Sequence, residues 1–319
     1  MLKVFFRLIL LIATISFTYS QEVSRDILFV GHAYGSHIDK DSKLDETLIN
    51  FSNNFNRLYD DIVLGGDFIY DCQDEKEYVN LISFISSSPT KLVIGNHDDC
   101  DKIKSYINSK YGSLNYYDKL NETLIFYLNT SIKNNNEVED LFNFFQKVIT
   151  QEKPKRVLIF SHQVIFSVSD LYLRVNSRKH YNYANKFYQK IYNSYYKKDL
   201  KLYFFSGDIG AYNFNPYAFT DSDQNFQFYA VGIGNKKKYT GILININDNI
   251  DVNFINLKTG HFLPIEKFSK INNQLYQSPK LILAYIRDNY KFLLIALFVG
   301  IVLYLYSKKY FNESQEEAR

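Results

Sequence analysis

Leu92-Val93-Ile94-Gly95-Asn96-His97-Asp98 decides how this chain is read. A short, apolar, β-branched run reads as a buried strand, and this one stops abruptly in a polar cluster. In open α/β sheets, ligands bind outside the C-terminal ends of the strands. An amide oxygen, an imidazole and a carboxylate in succession suit a metal ion together with a proton donor. Taken alone, Asn-His-Asp is equally an ordinary turn. The rest of the chain tips the balance, because four other apolar runs end the same way.

Asp26–Val30 runs into Gly31-His32, and Ile62–Leu64 into Gly65-Gly66-Asp67. Arg156–Phe160 runs into Ser161-His162, and Leu202–Phe205 into Ser206-Gly207-Asp208. Leu124–Leu128 is a further strand. Apolar residues at helical spacing predict helices over 43–58, 78–85, 103–111, 138–148 and 181–197. Beyond Asp208, the stretches 226–234, 240–246 and 251–257 alternate like an antiparallel meander. Alternating strands and helices make one α/β domain over 22–265. Parallel strands put their C-terminal ends along one edge. His32, Asp67, Asn96, His97, Asp98, His162 and Asp208 can therefore converge although they are far apart in sequence. Oxygen donors and imidazoles without a thiolate suit a divalent ion: Mn, Fe, Zn or Mg, one or two of them. A pair of ions bridged by one carboxylate would activate a water and hold a phosphoryl group for in-line attack.

Composition narrows the class. The chain has 319 residues and is 46% apolar, enough for a sizeable core. Its net charge is only +3 and no basic tract is long, so nucleic acid is not an expected partner. Tyr and Phe are abundant and Trp is absent, beside recurrent Asn, Lys and Ile. That bias reads as core material in an A/T-rich coding sequence, not as a stacking platform.

The ends suggest export. Lys3 and Arg7 precede the apolar stretch Leu8–Phe17, and Thr18-Tyr19-Ser20 offers small residues before Gln21. Residues 1–20 have the layout of a secretory signal peptide; an uncleaved anchor is the alternative. After a connector over 266–289, residues 290–306 contain the charge-free run Phe292–Tyr306, near the lower length limit for a spanning helix. Lys308 and Lys309 follow it and favour a cytoplasmic tail over 307–319. The expected location is a membrane, crossed once, with the domain periplasmic, lumenal or on the cell surface.

Gly66-Asp67, Gly95-Asn96-His97-Asp98 and Ser161-His162, in that order, resemble the calcineurin-like metallophosphoesterase superfamily over about residues 26–245. The resemblance implies a four-layer αββα sandwich of two mixed β-sheets flanked by helices. It implies a phosphoesterase acting on a phosphorylated substrate, with lipid- and sugar-linked esters left open. Asp67 would bridge two metals, Asn96 and His162 would ligate the second, and His97 would protonate the leaving oxygen with Asp98 orienting it. Gly66-Asp67-Phe68-Ile69-Tyr70 is also similar to the Gly-Asp-x-x-Tyr of purple acid phosphatases, whose tyrosine binds ferric iron; a rim or packing role for Tyr70 is the alternative.

Two motifs depart from the family. His32-Ala33-Tyr34 stands where the family has Asp-x-His, and Gly207-Asp208-Ile209-Gly210 where it has Gly-His-x-His. His32 would stand in for the first Asp, provided that further ligands join it; His37 and Asp71 are candidates. Asp208 would join Asp67, Asn96 and His162. A catalytically degenerate binding protein of the same fold, with one metal or none, is the rival reading. Arg174, Arg178, Lys179 and His180 could meet an anion, or form a solvated helix face. Cys72 and Cys100 ride loops that the implied fold makes neighbours, and an exported domain would join them in a disulfide; two unpaired thiols are the alternative.

Overall fold

The protein is described by a computed structural model. It describes residues 24–35, 44–166, 176, 178–210, 217–233 and 239–269, and the helical residues 290–291, 294–295 and 297–304. The expected signal peptide, His37, Arg174, most of the connector and the C-terminal tail lie outside the described residues.

Two six-stranded mixed sheets form the centre of the fold. The first has the order β12-β11-β10-β1-β2-β3. Its strands β1 (Arg25–Val30), β2 (Asp61–Gly65) and β3 (Thr90–Val93) run parallel, while β10 (Thr240–Ile246), β11 (Ile250–Asn256) and β12 (Phe262–Leu263) join antiparallel. The second has the order β4-β5-β6-β7-β9-β8. Here β5 (Thr123–Leu128), β6 (Arg156–Ser161), β7 (Lys201–Ser206) and β9 (Phe226–Val231) run parallel. The edge strands β4 (Tyr116–Leu120) and β8 (Ala218–Asp223) are antiparallel to their neighbours. The expected meander is corrected here. Of the three stretches, only β10 and β11 pair with each other; β9 belongs to the other sheet, parallel to β7 and antiparallel to β8.

Alternation along β6 shows why the layers form. Leu158 and Phe160 face the first sheet; the Phe160 ring lies 5.3 Å from Phe29 of β1 across the interface and 5.0 Å from Phe205 of the neighbouring β7. Val157 and Ile159 point the other way, into a second cluster with Leu141 and Phe145 of α4 (Asn135–Glu152) and Phe187 and Ile191 of α5 (Arg178–Tyr195). Both strand faces are therefore buried, which explains the continuous apolar runs. Each such side chain contributes about 1.5–3 kcal/mol by leaving water. On the outer face of the first sheet pack α1 (Glu46–Asn54), α2 (Glu75–Ser87) and α3 (Asp101–Tyr111), through Leu48, Phe51, Leu81, Ile85, Ile103 and Ile107. The result is a sandwich with helices outside both sheets.

Cys72 and Cys100 are joined in a disulfide, with Cα atoms 6.3 Å apart and a sequence separation of 28. Closing a loop of that size stabilises by about 3.5 kcal/mol in the chain-entropy picture. Among the described residues, no helix is long and apolar enough to cross a membrane.

Candidate metal centre

The C-terminal ends of β1, β2 and β3 in one sheet meet those of β6 and β7 in the other. Glycine makes the approach possible. Gly66 has φ +79°, and a Cβ there would land on the His162 ring. A Cβ on Gly207 would land on the carbonyl oxygen of Gly65. The residues next to these turns are themselves unusual: His32 (φ 52°) and Asp67 (φ 50°) both occupy the left-handed region without being glycine. Such conformations cost on the order of 1 kcal/mol or more each and persist where the surroundings impose them, often at functional sites.

Four side chains close around one point. Asp67 Oδ1 lies 3.3 Å from His162 Nε2, and Asp67 Oδ2 lies 3.4 Å from His32 Nε2. Asp208 Oδ1 lies 3.7 Å from His162 Nε2. All four are buried, none more than 2% exposed. Among the described residues, His32, Asp67 and Asp208 bring one ligand atom each to within 4.8 Å of one another. His162 Nδ1 donates to the Gly65 carbonyl at 2.9 Å, which fixes the tautomer and turns Nε2 toward the carboxylates.

The charges follow from this geometry. Burial would pull the His162 imidazole down, but Asp67 and Asp208 overcome it and push its pKa up to about 10. Burial would lift Asp67, but His162 and His32 outweigh it and hold the carboxyl well below the usual range. At His32 burial dominates over Asp67, and the pKa falls to about 4. The centre thus combines ionised carboxylate with a neutral imidazole, and it favours positive charge at His162 Nε2, proton or metal ion alike.

Asp98 has a different role from the one expected. Its fully buried carboxylate accepts from the amides of Asp67 (2.6 Å), Phe68 (3.0 Å), Ile69 (3.1 Å) and Gly95 (3.0 Å). A buried carboxylate needs several donors, and the tight turn after β2 points successive N–H groups at one place. Asp98 therefore staples the Asp67 loop to the His97 loop. His97 is oriented instead by the Tyr70 carbonyl, 3.1 Å from its Nδ1. That carbonyl is held in turn by Glu77 of α2, a buried carboxylate that accepts from the Tyr70 and Asp71 amides. The Tyr70 ring stacks on His97 at 5.3 Å and stays 37% exposed, a rim position. Asp71 is exposed and does not join the cluster. Asn96 is linked to Gln163, whose Nε2 lies 3.4 Å from Asn96 Oδ1. The disulfide runs beside this rim, with Cys72 Sγ 3.4 Å from the His97 carbonyl.

A dimetal phosphatase from Danio rerio is similar to this structure with a TM-score of 0.50 and 12% sequence identity, over 72% of this chain and 95% of that one. The likeness is one of fold, and it is consistent with the metallophosphoesterase sandwich that the sequence motifs resemble. A predicted phosphoesterase from Streptococcus pneumoniae aligns over 76% of this chain and 94% of its own at 11% identity, with a TM-score of 0.36. No protein-family profile and no curated protein sequence matches the chain.

The residues that this fold assembles fit a divalent ion. Buried His32 Nδ1 and His162 Nε2 have no hydrogen-bond partner, a state that is costly for polar atoms unless something else satisfies them. At His162 the unpartnered nitrogen is the one aimed into the cluster. Two imidazoles and two carboxylates form a borderline-to-hard donor set of the kind that binds Zn, Mn or Fe(II). Sequence reading missed Gln163 and Glu77. Gln163 directly follows His162, and position beside a motif was the one available signal. Glu77 looks like any surface residue of an amphipathic helix.

Proposed function

We propose that this protein is a membrane-anchored, metal-dependent phosphoesterase. One observation carries the reading: His32, Asp67, His162 and Asp208, from four loops and both sheets, are buried around one point on a fold shared with a dimetal phosphatase. A divalent ion held there supplies Lewis acidity toward a phosphoryl oxygen and lowers the pKa of water. The chain does the rest. Asp67 and Asp208 give anionic oxygens, and His162 presents Nε2 because its Nδ1–H is committed to Gly65. His97 sits at the rim with Nδ1–H directed to the Tyr70 carbonyl, which leaves Nε2 as the nitrogen that, in the imidazolium form, would pass its proton to the leaving oxygen and return the ring to neutral. The donors form one cluster, and Gly210 stands where the resemblance expects a last histidine; both favour one resident ion over two.

The experiment is hydrolysis of an aryl phosphate, as monoester and diester, by purified protein. Activity is expected with Mn2+, to disappear with EDTA, and to return on adding Mn2+ again. Protein that binds Mn2+ but cleaves neither ester would instead be a binding protein on this fold.

Membrane anchoring rests on the charge-free run Phe292–Tyr306. Leu294, Ile295, Leu297, Phe298 and Leu303 within it are each more than half exposed, as expected of side chains that meet lipid. With Lys308 and Lys309 on the cytoplasmic side, the domain faces away from the cytoplasm. Protease added to intact cells or spheroplasts, or to sealed vesicles that expose the lumenal face, is expected to digest the domain. Digestion only from the cytoplasmic face would refute the orientation.

A further inference from the structure

The link between Asn96 and Gln163 belongs to a longer buried chain. Gln163 and Thr130 are fully buried, and Ser131 is 4% exposed. Thr130 and Ser131 follow β5, in a loop fixed by Asn129, whose Oδ1 accepts the Ser131 amide at 3.0 Å and whose own amide donates to Asn115 Oδ1 at 2.8 Å. The Gln163 main chain is held on both sides: its N–H donates to Thr130 Oγ1 at 3.1 Å, and its carbonyl accepts from Ser161 Oγ at 3.0 Å.

This arrangement settles which way the Gln163 amide points. Thr130 Oγ1 accepts the Gln163 main-chain N–H and donates its own proton to Gln163 Oε1, 2.9 Å away. Ser131 Oγ, at 3.5 Å, is a second donor to the same oxygen. Oε1 is therefore the acceptor end, and Nε2 is left to donate to Asn96 Oδ1. The Asn96 amide is thereby turned with its oxygen toward the β6 loop that carries His162. An amide binds a hard cation through oxygen; flipped, it would offer N–H groups that repel one. A carbonyl oxygen has two lone pairs, so one bond to Gln163 leaves the other for an ion.

We infer that Gln163 is a positioning residue: with Thr130, it locks the Asn96 amide in the orientation that a metal ligand needs. The inference rests on the metal-centre reading, with Asn96 joining that centre as the Gly95-Asn96-His97-Asp98 resemblance implies, and adds to it a device outside the ligands themselves. Losing outer partners of this kind typically lowers metal affinity by about 10–100-fold.

The test is calorimetric titration of the full-length protein with Mn2+, alongside thermal melting without metal. Thr130→Val keeps the shape but removes the hydroxyl that orients Gln163. It is expected to weaken Mn2+ binding by about 10–100-fold, while Thr130→Ser restores wild-type affinity. Gln163→Glu keeps an acceptor for Thr130 but loses the N–H, and is expected to weaken binding similarly. Should the buried carboxylate prevent folding, the Val and Ser pair decides alone. Thr130→Val protein that melts cooperatively and binds Mn2+ as wild type does would overturn the inference. Wild-type protein that takes up no Mn2+ would overturn the metal-centre reading, and this inference with it.

Discussion

Asp67→Ala is expected to lower Mn2+ affinity by more than about 100-fold, because outer-shell changes alone reach that figure. No other side chain touches as much of the centre. Its two oxygens lie 3.3 Å from His162 Nε2 and 3.4 Å from His32 Nε2, and Oδ1 also accepts the His97 amide at 3.0 Å. Without it, two buried imidazoles lose the anion they share. The fold should survive, since the loop amides after β2 are bound by Asp98 and not by Asp67. Phosphoesterase activity is expected to fall in parallel with the affinity. Titration of the variant with Mn2+ checks this, and an affinity within a few-fold of wild type would remove Asp67 from the centre.

His97→Ala is expected to separate chemistry from metal binding. The His97 main-chain N–H donates to Asp67 Oδ1, and alanine keeps that group, so Mn2+ affinity should hold. Turnover of an alkyl phosphate is expected to fall by about 10²–10⁴-fold, the usual scale for a positioned acid or base. An aryl phosphate has a leaving group that needs less protonation, so its loss should be smaller. Comparing kcat for the two substrates checks the assignment; equal losses would leave His97 without an acid role.

Much of this centre was legible because the rule behind it is simple. A buried parallel strand must be apolar throughout and cannot carry chemistry, so the chemistry collects where the strand stops. That logic found His32, Asp67, His162 and Asp208 before any geometry was known. It failed where function depends on backbone groups, which leave no side-chain signature. Asp98 looked like a partner for His97, but in the fold the amides of Asp67, Phe68, Ile69 and Gly95 claim it. Nothing in the sequence marks Gln163 and Thr130 as buried, because burial of an isolated polar residue cannot be read from its neighbours. The fold shows the same division. The edge strands β4, with Asp118 and Lys119, and β8, ending in Asp221-Ser222-Asp223, lack a clean apolar period and were not read as strands. The β9 and β10 runs were read correctly as strands but joined wrongly. Alternation reports which face of a strand is buried, not which sheet it enters.

The metal content of the wild-type protein tests the account most directly. The protein would be stripped with EDTA, loaded with excess Mn2+, freed of unbound ion and assayed by elemental analysis beside Asp67→Ala. About one Mn2+ per chain is expected in the wild type and essentially none in the variant. Wild-type protein that emerges folded but free of divalent metal would contradict it.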